Sequence, residues 1–147
     1  MENKNKTQDE EMLTDIYKNC RMGTESTAKL MPDVKNDGMR RVMGEQLKSY
    51  QNFSARAAEL LAKHGTAPHD ATFFEKLPAE MGMAFSRMTD TSDQKTAQMM
   101  INGFVMGVTE LKKQLADTPD VSEQTACLAA DMIQFQLGAI NDMKQFL

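Results

Sequence analysis

The stretch MRRVMGEQLKSYQNFSARAAELLAKHG, residues 39–65, decides the fold. Met39, Val42, Met43, Gln46, Leu47, Tyr50, Phe53, Ala57, Leu60, Leu61 and His64 recur at three- and four-residue steps. At about 100° per residue they share one face of a helix about seven turns long. An apolar stripe of that length must be buried against other helices. Gly65 is placed to end the helix. Asn36-Asp37-Gly38 reads as the connection before it, with Asp37 as its expected cap.

Upstream, Thr7 and Glu10 have capping-box spacing, so a first helix is expected from about residue 7. Leu13, Ile16, Tyr17, Cys20, Thr24, Thr27 and Met31 form its stripe, with Val34 in phase beyond Pro32, where the helix either bends or stops. Downstream, residues 65–70 read as loop. Thr72 and Glu75 repeat the capping-box spacing before a shorter helix faced by Phe73, Leu77, Met81, Ala84, Phe85 and Met88, unless Pro78 marks its first turn. Asp90-Thr91-Ser92-Asp93 then starts a helix to about Ala116, with Ala97, Met100, Ile101, Phe104, Val108, Leu111 and Leu115 inward. After Asp117-Thr118-Pro119-Asp120, with Asp120 and Glu123 as caps, a last helix runs nearly to Leu147. Its row of Val121, Leu128, Met132, Phe135, Ala139, Met143 and Phe146 is widened by Ile133, Leu137 and Ile140, enough to touch more than one neighbour. No segment alternates with period two. The reading is all-α: an up-down four-helix bundle with an additional short helix between the second and third long ones, in one domain over residues 1–147 with a polar tail at 1–6.

The 147 residues, 41% hydrophobic and 26% charged, suit a soluble globular domain with its own core. A net charge of −4 offers no clustered positive surface, so neither nucleic acid nor an anionic membrane is an expected partner. No run approaches the ~18 apolar residues of a membrane span, and the polar start MENKNKTQDEEM lacks a signal-peptide core, which makes a cytoplasmic location the expectation. Cys20 and Cys127 are too few for a disulfide framework.

A bundle raises the question of a di-metal carboxylate centre, built from a Glu on each of two helices and Glu-x-x-His on the other two. No Glu-x-x-His occurs, and His64 and His69 sit at or after the end of the second helix. Glu25, Glu45, Glu59 and Glu110 each lie well over ~90° from the centre of their helix's apolar stripe and face water. Asp131 and Asp142 sit nearer the stripe's edge, so with Glu45 they form the one alternative carboxylate set. His64, His69 and Asp70 could clip a surface metal but read more simply as a helix end and a polar loop. Cys20 reads as a small buried hydrophobe, Cys127 as lying off the stripe, and no pairing of the two is suggested.

Thioethers are soft ligands for Cu(I), and Met81, Met83 and Met88, or Met99, Met100 and Met106, form local clusters. Core packing accounts for Met39, Met43, Met81, Met88, Met100, Met132 and Met143, which lie on stripes. Met99, Gly103, Met106, Gly107 and Glu110 read instead as a second face suited to close approach of another helix, either the short one or a second subunit. Tyr17, Thr24, Thr27, Gln46, Tyr50 and Gln136 are polar groups on inward faces that need hydrogen bonds, and a structural polar layer suits them. Phosphate loops and nucleophile elbows are absent from the sequence.

The runs LTDIYKNCRMGTES, EQLKSYQNFSARAAELLAKHG and AQMMINGFVMGVTEL, the last preceded by TDTSD, resemble small ferritin-like helical-bundle proteins of unknown function. These occur largely in Firmicutes and are related to the rubrerythrin and spore-coat branches. The resemblance spans the whole chain. It implies a ferritin-like up-down bundle with one long crossover, which residues 66–91 and their short helix would supply. It does not bring a metal function, because where rubrerythrins present Glu-x-x-His this chain has Glu45, Gln46, Leu47 and Lys48. Gly103, Gly107, Gln134, Phe135 and Gln136 occupy the middles of the later helices. The expectation is a metal-free, cofactor-free, non-enzymatic bundle that acts as an interaction or stress-associated protein and forms a homodimer, with any further protein partner unnamed. The alternative is a divergent iron or manganese oxidase or storage protein.

Overall fold

The computed structural model describes residues 4–66 and 90–147. Its helices are α1 (Lys4–Leu30), α2 (Asp37–Lys63), α3 (Asp93–Asp117) and α4 (Glu123–Lys144), with a 3₁₀ turn at Met31–Asp33. Among the described residues there is no strand, and no helix is long and apolar enough to cross a membrane.

Local chemistry explains the boundaries. Asn36, not Asp37, caps α2, its side-chain oxygen accepting from Met39 N at 2.9 Å; Asp37 sits in the first turn, where a negative charge is favoured. Ser92 and Ser122 cap α3 and α4 by accepting from Lys95 N and Thr125 N. Serine oxygens three residues before those amides take the cap, so Asp120 and Glu123 do not form the one expected for α4. Gly65 has φ +76°, the left-handed conformation that closes α2. Helix α1 starts at Lys4, before the Thr7-Glu10 signal, and stops at Leu30. Pro32 lies in the 3₁₀ turn and Val34 is extended, so the proline ends α1 rather than kinking it.

Helix α1 packs along α2 and α3 along α4; α1 also faces α3, α2 faces α4, and α1 touches α4 across the core. Contacts at the two ends set the directions. Asp9 near the start of α1 accepts from Ser122 N at 2.7 Å and lies 3.4 Å from His64 Nε2, so the start of α1, the end of α2 and the start of α4 meet. At the opposite end the amides of Lys35 and Asn36 donate to Asp93 at 2.8 Å, which puts the start of α3 beside the start of α2. Helices α2 and α3 therefore run the same way, and Thr66 and Asp90 lie at opposite ends of the bundle. This is the expected crossover topology. The short helix expected over residues 72–88, the role of Pro78, and His69 and Asp70 fall outside the described residues.

The core contains Leu13, Ile16, Leu61, Phe104, Leu111 and Leu128, with Met12, Met39, Met43, Met100, Met132 and Met143 also buried. Methionine fills irregular gaps between four helices well, since three flexible torsions adapt to whatever space the branched residues leave.

Candidate functional site

All four helices contribute to a polar layer in the middle of the core. Asn19 on α1 donates from Nδ2 to the Gly107 carbonyl on α3 at 3.1 Å, and Gln136 on α4 donates from Nε2 to Asn19 Oδ1 at 2.8 Å. Glycine at 107 leaves room for this network: a Cβ there would stand 2.3 Å from Gln136 Nε2 and 3.1 Å from Asn19 Oδ1 and would push the Gln136 amide aside. Tyr50 on α2 completes the layer. Its ring lies over Gly23 of α1, where a Cβ would stand 2.2 Å from Cζ, and it stacks on Phe104 at 6.0 Å and meets Phe135 edge-on at 5.1 Å. Burial pushes the Tyr50 phenol well above its usual range, with the neighbouring Gln136 amide acting the other way, so the phenol stays neutral. Cys20 is fully buried and its Sγ lies 3.6 Å from Met132 Sδ; burial likewise pushes this thiol up.

The layer is thus made of neutral amides, a phenol and a thiol, and it holds no charged acid or base. Among the described residues no three His, Cys, Asp or Glu side chains gather to hold a metal ion. The alternative carboxylate set does not converge. Asp131 is exposed and bonds Arg56 at 3.1 Å, Asp142 is exposed, and Glu45 is exposed with Lys48 at 3.7 Å. Glu59 and Glu110 are exposed, and Glu25 is partly exposed and pairs with Arg21 at 3.4 Å. A shallow open groove of about 530 Å³ on the outside of α2 is lined by Ser49, Asn52, Phe53, Ala55, Arg56 and Glu59.

The five residues read as a self-association face lie within one arc of about 100° on α3, with Gly107 at its inner edge. Gly107 turns inward against Asn19 and Gln136. Met99 is half-buried against the core and Met106 is half-buried. Gly103 has open space beyond its Cα, and Glu110 is exposed and raises the pKa of half-buried Asp15, for which desolvation is the larger cause. Gln46 is buried as expected, but neither atom of its amide, nor the Thr96 hydroxyl, has a partner among the described residues. His64 is half-buried on Asp9 and ties helix ends together.

Sequence reasoning missed Asn19 and Gly23. Both carry a signal. Asparagine and glycine weaken a helix interior, so each in mid-helix points to a neighbouring backbone or ring that needs it.

No protein-family model and no curated protein sequence matches the chain. Among solved structures it is similar to the crystal structure of Dps92 from Deinococcus radiodurans, with a TM-score of 0.80 at 13% identity, over 99% of this chain and 88% of that one. With its two parallel middle helices and four-helix core, the chain has a ferritin-like fold.

Proposed function

We propose that this chain is a ferritin-like bundle whose centre is a structural amide and phenol layer in place of a di-metal carboxylate centre. It works through its surface, as a non-enzymatic interaction or stress-associated protein that forms a homodimer. The observation that carries this reading is the Asn19–Gly107–Gln136 network beside Tyr50, at mid-core, drawn from all four helices. A di-metal centre in such a bundle needs inward carboxylates and imidazoles. Here Glu45, Asp131 and Asp142 are spent on the surface.

Anaerobic incubation with Fe(II) or Mn(II), followed by desalting and elemental analysis, tests the absence of the centre. Background metal is expected; near-stoichiometric retention would restore the oxidase or storage reading. Sedimentation at micromolar concentration tests the second subunit. A dimer mass that falls to monomer in Gly103→Leu is expected, whereas a monomeric wild type whose mobility the substitution leaves unchanged would remove the homodimer from the account.

A further inference from the structure

We propose that Cys20 and Met132, with the Gln136 side-chain oxygen, form a buried site for one soft monovalent cation of the Cu(I) class. The inference goes beyond the proposed function, which concerns hard divalent metals on carboxylates.

Three observations carry it. The two sulfurs, one from α1 and one from α4, are fully buried and already 3.6 Å apart. With metal–sulfur bonds of about 2.3 Å that separation subtends roughly 100° at a shared ion, near the tetrahedral angle, so neither sulfur has to move far. The third observation is an unused donor. Gln136 is fully buried, its Nε2 is committed to Asn19, the residue beside Cys20, and its Oε1 has no hydrogen-bond partner among the described residues. Gln136 stands one turn from Met132 on the same face of α4.

Charge and softness select the ion. Binding breaks the Cys20 S–H bond and forms a bond from Sγ to the metal, and the proton leaves to solvent, with no oxidation or reduction. A thiolate with a monovalent cation is neutral, which suits the buried surroundings of Cys20 and Met132; a divalent ion would leave a net positive charge there. Thiolate and thioether donors favour Cu(I) over iron or manganese.

The test is anaerobic titration of the reduced full-length chain with Cu(I) buffered by bicinchoninate, in wild type and in Cys127→Ser, which removes the exposed thiol. One Cu(I) per chain in both is expected, with an ultraviolet thiolate-to-copper band and a raised Tm, because the preformed site holds the ion more tightly than the unfolded chain does. Cys20→Ala should abolish binding, and Met132→Leu should weaken it by about tenfold or more. X-ray absorption of copper-loaded Cys127→Ser should show sulfur neighbours, which keeps the question decidable if a core variant fails to fold. Binding that survives Cys20→Ala, binding that vanishes in Cys127→Ser, or a copper shell without sulfur would overturn the proposal. A parallel Fe(II) titration separates the two ideas: iron uptake would sink the proposed function and leave this site untouched, while failure of copper binding would do the reverse.

Discussion

Replacing Gly23 by alanine sets two effects of known sign against each other. Alanine improves an interior helix position by about 1 kcal/mol over glycine. Here the new Cβ would fall 2.2 Å from Tyr50 Cζ, 2.4 Å from Cε2 and 2.5 Å from Cε1. Reaching the 3.4 Å of ordinary contact requires the ring to withdraw by about 1.2 Å. It has little room to do so, since Phe104 stacks on it at 6.0 Å and Phe135 meets it at 5.1 Å. Overpacking of a dense core costs about 1–3 kcal/mol and sometimes more. With three ring atoms this close, the upper part of that range applies and the net loss is about 2 kcal/mol. Gly138→Ala is the control, because nothing lies within 4 Å of its Cβ position; it should gain up to about 1 kcal/mol. Equilibrium urea unfolding at several protein concentrations measures both. At a slope of about 2 kcal/mol/M, the Gly23→Ala midpoint should fall by about 1 M and that of Gly138→Ala should rise. A Gly23→Ala protein as stable as wild type would refute the packing argument.

The polar core yields a second contrast. Asn19→Ala strips Gln136 Nε2 of its acceptor and should cost about 1–3 kcal/mol, whereas Gln46→Leu removes an amide with no partner among the described residues and should be neutral or stabilising; thermal melts that rank them the other way contradict the layer. Burial, with Glu110 and Glu11 adding to it against Lys18, raises the Asp15 pKa. The native state therefore holds that proton more tightly than the unfolded chain, and the residue's contribution to stability falls as pH rises through the carboxylate range. Asp15→Asn should raise Tm at neutral pH, with an advantage that fades below about pH 3; a pH-independent difference would tell against the desolvation argument. Disulfide-exchange titration with Ellman's reagent should find one reactive thiol in the native protein, Cys127, and two in denaturant; prompt native reaction of Cys20 would mean that the core is open there.

The helices were legible because their stripes run for many turns and serines, asparagine or glycine punctuate them. Ser92 and Gly65 stand where local rules put them, whereas Ser122 takes the cap of α4 that Asp120 and Glu123 were expected to form. The error at the start of α2 was one residue, since Asn36 and Asp37 are both good caps and only the backbone decides between them. The helical wheels placed Glu45, Glu59 and Glu110 outward, where they stand exposed, whereas Glu25, placed outward with them, is only partly exposed beside Arg21. Sequence periodicity does not carry the register between helices. Gly107 lies beside the stripe of α3 and read, with Gly103, as part of a second face for another helix or a second subunit. It is buried because Asn19 and Gln136, 88 and 29 residues away in the chain, meet over it. Cys20 and Met132 were each placed inward, but that they touch follows only from how α1 crosses α4.

The measurement that bears most directly on the account is metal content. Protein purified without chelator, offered Fe(II) and Mn(II) anaerobically and desalted, should carry both at background level, since mid-core is held by Asn19, Gln136 and Tyr50 and the carboxylates of Glu45, Asp131 and Asp142 face solvent. Iron or manganese near one or two ions per chain, lost on Asn19→Ala or Gln136→Leu, would place a metal centre inside the bundle and contradict the central claim.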